Sequence, residues 1–222
     1  MKLKAYFKQL AIDLKPMTFT EKIEHIWTYN KELILITAGV LFLVIGLLVT
    51  FIQRPDVMFC GFIVNGELDD RGTSYLTTDY LEVLGGTGRQ EVQLMSGVYS
   101  TTLASAAEAS EATKLRILAL CSDQSLDYII ADKDAMEAIL GDGICMDLAT
   151  FFTEEEYAQW QDKMLVGTGE DGSAISYAVK ISDTKFAKDN VVSNKELYLC
   201  FIENTKNVDR CHEFWAYLLN WQ

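Results

Sequence analysis

Residues 114–148 read KLRILALCSDQSLDYIIADKDAMEAILGDGICMDL. Tyr128-Ile129-Ile130-Ala131 is a short unbroken apolar run, which suits a strand buried on both faces. Asp132 follows at the position of a helix N-cap, where a carboxylate can accept the N–H groups that a first helical turn leaves open. Ala135, Met136, Ile139 and Leu140 then recur at helical spacing, and Gly141 closes the helix. Upstream, residues 105–121 are rich in Ala, Glu, Lys and Leu, with Ala112, Leu115, Leu118 and Ala119 on one helical face. Downstream, residues 144–148 read as a further short strand. Helix, buried strand and helix in succession set the class as α/β.

The neighbouring segments repeat the alternation. Residues 57–64 form a nearly continuous apolar run closed by Asn65-Gly66, a second buried strand. Residues 79–84 read as a brief helix capped by Thr78 and ended by Gly85-Gly86. Val92, Leu94, Ser96 and Val98 alternate with other residues as a strand does. Thr153-Glu154-Glu155-Glu156 is a capping box that opens a helix carrying Tyr157, Trp160 and Met164. A polar Gly-rich loop covers 167–172; Tyr177, Val179 and Ile181 alternate; residues 197–202 are another apolar strand. Asn204 to Asn207 lead into a last helix with Val208, Cys211, Trp215 and Leu218 at helical spacing. Strands alternating with helices predict a parallel or mixed sheet in one compact α/β domain over 54–222.

A different kind of segment precedes this domain. The twenty residues that begin at Leu33 and end at Ile52 carry no charge. At about 1.5 Å per residue they cover roughly 30 Å, the thickness of a hydrocarbon core. The run is longer than a signal-peptide core, and Gln53-Arg54-Pro55-Asp56 offers no small-residue cleavage site, so the expectation is an uncleaved transmembrane helix over 32–53. Lys2, Lys4, Lys8, Lys15, Lys22 and Lys31 precede it, which by the positive-inside bias places the N-terminus in the cytoplasm and the larger domain outside. Residues 1–31 are then a cytoplasmic arm. Leu3, Tyr6, Phe7, Leu10, Ala11 and Leu14 fall on one face of a basic amphipathic helix, which reads as an interfacial helix, a partner-binding helix or a frayed tail. Thr18-Phe19-Thr20-Glu21 opens a second short helix there.

Charge follows the same division. The whole chain of 222 residues carries a formal −13. Residues 1–54 hold seven Lys/Arg against four Asp/Glu, while 55–222 hold twelve against twenty-eight. An outer domain of net −16 has no basic face for phosphates, which argues against a nucleic-acid partner.

Two segments resemble the type 2 periplasmic (solute) binding proteins. In 114–148 the match is to a helix, an (L/V)D-x-(I/V)-I-A-D strand, an F/M-E pair and a G-x-(L/C)-x-D-L turn. In 197–219, LYLCFIENTKNVDRCHEFWAYLL looks like that family's strand, N-(S/T)-K-N turn and final helix. Residues 22–42, KIEHIWTYNKELILITAGVLF, also look like the anchor of small Gram-positive membrane proteins that carry such a domain. The resemblance implies an extracytoplasmic domain that captures a small solute without covalent chemistry, in a cleft lined by strand ends and helix N-termini. The matching positions are Asn65, the stretch from Ser96 to Thr101, and Asp132. The chain is shorter than two-lobed members and lacks their lipoprotein cysteine, so it holds either one lobe or two trimmed ones. Each position also has a local reading: Asn65 as a turn residue, Ser100 and Thr101 as caps, Asp132 as an N-cap.

Catalytic signatures are not expected. His25 falls in the arm, leaving His212 alone in the outer domain beside Cys211. Cys60, Cys121, Cys145, Cys200 and Cys211 are widely spaced, without the C-x-x-C pattern of a metal site, and read as reduced core residues. Gly85-Gly86-Thr87-Gly88-Arg89 lacks the lysine and spacing of a phosphate loop. The acidic pairs and triplets, Asp69-Asp70 and Glu154–Glu156, lack calcium-loop spacing. The expectation is a single-pass, membrane-anchored, non-enzymatic binding protein with no cofactor or metal, recognising a small solute or a neighbouring membrane protein. Its alternative is an interaction module without a ligand cleft.

Overall fold

Asp56–Val64 (β1) and Tyr128–Asp132 (β3) are the apolar runs that need burial on both faces, and they lie side by side in parallel inside a six-stranded sheet. The computed structural model describes residues 16, 18–52, 54–100, 107–140, 143–169 and 172–222. Two compact units divide the chain, Met1–Arg54 and Pro55–Gln222.

In the first unit, Phe19–Ile52 (α1) is one continuous helix of 34 residues. The capping-box residue Glu21 accepts the Thr18 N–H at 2.8 Å, and no break separates this start from the apolar run. The short second helix and the span are therefore one element, because nothing between Glu21 and Leu33 interrupts helical hydrogen bonding. Within it, Ile34–Phe51 has a mean hydropathy of 2.8 and no buried residue, making it long and apolar enough to cross a membrane. The amphipathic pattern from Leu3 to Leu14 lies outside the described residues.

The second unit is a mixed α/β layer structure. Besides β1 and β3 the sheet contains Gln90–Gly97 (β2), Met164–Thr168 (β4), Ala174–Lys180 (β5) and Leu197–Phe201 (β6), in the order β2-β1-β3-β6-β5-β4. β1 runs parallel to β2 and β3; β6 returns antiparallel to β3, and β5 and β4 continue antiparallel. Among the described residues, one six-stranded sheet serves the whole unit.

Helices cover both faces. The segment over 70–83 (α2) combines α-helical Asp70–Ser74, a π-turn at Tyr75–Asp79 and α-helical Tyr80–Val83. With Leu148–Phe151 (α5), Glu154–Trp160 (α6), Lys185–Asn190 (α7) and Val208–Leu219 (α8) it packs on the face carrying Phe59, Ile63, Tyr128, Ile130 and Phe201. Ala107–Ser122 (α3) and Lys133–Leu140 (α4) pack on the opposite face, against Cys60, Phe62, Ile129, Ala131 and Cys200. Alternate residues of each central strand thus feed two cores.

Several local expectations change. α2 starts at its N-cap Asp69, which accepts the Gly72 N–H at 2.7 Å, and Thr78 lies inside the helix. Its end is as expected: Gly85 has φ +68°, its N–H bonds to the Glu82 carbonyl, and the Gly86 N–H reaches Leu81 at 2.9 Å. That reciprocal pair is the Schellman motif. On α3 the buried residues are Ser110, Thr113, Ile117 and Cys121, and Leu115 is 64% exposed. Its apolar residues surround the helix, so spacing alone did not choose the face. Gly97 does: a Cβ there would stand 2.7 Å from Thr113 Oγ1, so the bare glycine lets α3 approach β2.

Residues 144–148 are not a strand. Cys145 makes an isolated bridge to Ile202, and Asp147 caps α5 instead. The Thr153 capping box forms with both reciprocal bonds, but α6 ends at Trp160, and Met164 begins β4. Of the expected Gly-rich loop, Gly167 and Thr168 belong to β4, and the Gly169 N–H bonds to the Ser173 carbonyl at 2.8 Å just before β5.

Candidate functional site

Three strand ends meet at one edge of the sheet. β1 finishes at Val64, β2 at Gly97 and β3 at Asp132, all pointing the same way because all three are parallel. The chain leaves β1 for β2 on one side and then crosses to β3 on the other. The carboxyl ends of β1 and β3 are therefore a topological switch point, where open α/β sheets place their ligands.

Asn65 is the residue that turns the chain out of β1. Its φ of +57° is left-handed, a conformation asparagine tolerates better than most residues. Its side chain works in two directions. Oδ1 accepts the Tyr99 N–H at 2.8 Å, and Nδ2 donates to the Tyr99 carbonyl at 2.6 Å and to both Asp132 oxygens at 3.1 Å. Asp132 in turn accepts the Ala135 N–H at 3.1 Å, which is the N-cap bond at the start of α4. Its second oxygen pairs with the Lys195 ammonium.

Lys195 reaches this place because β6 is antiparallel. Leu197, the first residue of β6, stands opposite Asp132, the last of β3, so the polar residues before β6 sit beside the end of β3. No local pattern in Ser193-Asn194-Lys195-Glu196 announces that neighbourhood, and sequence spacing could not find it.

Beside this cluster lies a cleft of about 770 Å³. Ile63, Leu68, Leu94 and Val98 give it apolar walls, and Glu67, Thr73, Ser96, Ser193 and Lys195 give it polar ones. Ser193 Oγ is buried with no hydrogen-bond partner. Of the residues singled out from the sequence, Asn65 and Ser96 line the cleft, and Asp132 holds Asn65 and Lys195 in its wall. Thr101 lies outside the described residues.

Other reactive side chains are occupied elsewhere. His212 stacks flat on Phe151 with ring centroids 3.9 Å apart. All five cysteines are buried. Among the described residues, no three His, Cys, Asp or Glu side chains converge as metal ligands. No protein-family profile, curated protein or solved structure matches this chain.

Proposed function

We propose that this is a single-pass membrane protein whose outer α/β domain binds a ligand non-covalently, in the cleft at the carboxyl ends of β1 and β2. The observation that carries the reading is the cleft itself. It has the volume of a small-ligand site, mixed apolar and polar walls, and a position next to a topological switch point. The resemblance of 114–148 and 197–219 to solute-binding proteins supports the same reading, with one lobe in place of two. The apolar stretch Ile34–Phe51 would anchor the chain uncleaved, with the N-terminus cytoplasmic and the acidic domain outside.

Full-length protein in detergent micelles, screened by thermal shift against metabolites, tests the reading. A ligand at a hundredfold excess over Kd stabilises by about 2.7 kcal/mol, and Ser96→Trp, which fills the cleft, abolishes the shift. A screen without any shift sinks it. Protease treatment of intact cells tests the topology: the outer domain is digested and the arm protected.

One observation favours a second reading, an interaction module with no ligand. Asn65, Asp132 and Lys195 satisfy one another, as a purely structural tie would. That module predicts a membrane partner recovered by cross-linking and no metabolite response.

A further inference from the structure

Two of the five cysteines meet in the core that α3 and α4 cover. The Cys145 thiol donates to Cys200 Sγ across 3.7 Å, although the residues are 55 apart in the chain. The backbone brings them together. The Met146 N–H bonds to the Phe201 carbonyl at 2.9 Å and the Glu203 N–H to the Ile144 carbonyl at 3.0 Å. Cys145 therefore faces Ile202 as the non-hydrogen-bonded pair of an antiparallel bridge, the kind whose side chains stand closest. Cys200, two residues before Ile202, projects from the same face of the strand.

The two cysteines are held unequally. Cys200 belongs to β6, which lies between β3 and β5 in the sheet. Cys145 lies on residues 143–147, which connect α4 to α5 and meet β6 through one isolated bridge. It is also the more accessible, 8% exposed against 0% for Cys200. A disulfide needs its sulfurs about 2.05 Å apart, and the connecting segment is the side that can move to close the gap.

We propose that Cys145 and Cys200 are a modification site. Where a disulfide oxidant reaches the domain they close into an intramolecular disulfide that staples residues 143–147 to β6; the thiol contact is the reduced form. The Cys145 thiolate attacks the oxidant's disulfide, giving a mixed disulfide and one released thiolate. The Cys200 thiolate then attacks the Cys145 sulfur and releases the second. Two protons and two electrons pass to the oxidant, which leaves as two thiols, and Cys60, Cys121 and Cys211 stay reduced. Disulfides persist on the oxidising side of a membrane, where the orientation proposed above puts this domain.

Membranes are quenched in acid, and free thiols are alkylated in denatured protein without reductant. Tryptic peptides 134–163 and 196–206 carry one cysteine each, so mapping needs no variant. They are recovered linked, about 2 Da lighter than the two thiols together, and the intact chain takes three alkyl groups in place of five. Reduced full-length protein in detergent micelles gains the same link on incubation with oxidised glutathione. Five alkyl groups after that incubation, a link to another cysteine, or a glutathione adduct that persists at Cys145 overturns the proposal. If the purified protein closes but membranes yield five alkyl groups, protease digestion of intact cells separates the causes. With the domain digested, the proposal falls; with the domain protected, the outward orientation falls and the pair stands.

Discussion

Asn65 and Asp132, sixty-seven residues apart in the chain, meet across the ends of β1 and β3, with Asn65 Nδ2 3.1 Å from each carboxylate oxygen. One carboxylate thereby caps α4, orients the residue that turns the chain out of β1, and holds Lys195. Asp132→Ala removes all three at once and is expected to cost about 2–4 kcal/mol in urea unfolding. Asp132→Asn keeps a capping oxygen and costs less. An alanine variant as stable as the parent contradicts the clasp.

The same turn separates backbone from side-chain effects. Asn65→Gly loses the hydrogen bonds but fits the left-handed φ, while Asn65→Ala loses the bonds and strains the backbone. The alanine variant should be less stable than the glycine variant by about 1 kcal/mol. Equal midpoints in chemical denaturation count against it.

Tyr128 fills the space that Gly61 vacates. A Cβ on Gly61 would lie 2.1 Å from Tyr128 Cζ, so Gly61→Ala forces two core strands apart and should cost about 3 kcal/mol or leave the protein unfolded. The Tyr128 hydroxyl is buried and has no hydrogen-bond partner. Tyr128→Phe discards that burden and is expected to stabilise by about 1 kcal/mol. A loss of melting temperature in Tyr128→Phe would show that the hydroxyl has a partner after all.

Asp127 is 1% exposed and ties three segments together. It accepts the Cys60 N–H at 2.7 Å, the Thr205 hydroxyl, and Asn207 Nδ2 at 2.9 Å. Asp127→Ala strands these donors in the interior and is expected to destabilise by about 3 kcal/mol or more, read as a lower urea midpoint. A change under 1 kcal/mol would remove Asp127 from the account of how β1 meets the start of α8.

Alkaline pH should unfold the domain through its thiols. Burial, with the Asp127 carboxylate adding to it, pushes the Cys60 thiol from 9.0 up to about 12. The contact with Cys145, together with burial, raises Cys200 as well. These thiols are neutral in the fold, and the unfolded chain ionises at the ordinary value. Their stabilising contribution is complete below about pH 9 and shrinks as pH rises from there toward 12. The slope is about 1.4 kcal/mol per pH unit for each such group. Urea midpoints at pH 7.5, 9 and 10.5 check it; a flat profile above pH 9 contradicts it.

Much of the architecture could be read locally, because short-range physics governs it. The apolar runs of β1, β3 and β6 have no way to be satisfied except inside a sheet. The capping box at Thr153 and the glycine ending α2 act within a single turn, so their residues were identifiable from spacing. Where local signals were evenly spread, as around α3, the buried face could not be chosen, and Gly97 on another strand decided it. The β4 strand was hidden for a related reason: five residues next to a glycine turn carry little periodicity until β5 pairs with them.

The candidate site divides in the same way. The resemblance pointed to Asn65, Ser96 and Asp132 as strand-end positions, and these three lie at or within one residue of the ends of β1, β2 and β3, which share one edge because the strands are parallel. By itself the sequence determined a long apolar helix, an α/β class and an acidic C-terminal domain, since composition and period act on neighbours along the chain. Only the tertiary structure decided that the sheet is single and mixed, and that Lys195 and Ser193 join the strand ends. Those depend on β6 running antiparallel beside β3, a long-range pairing with no local signal to announce it.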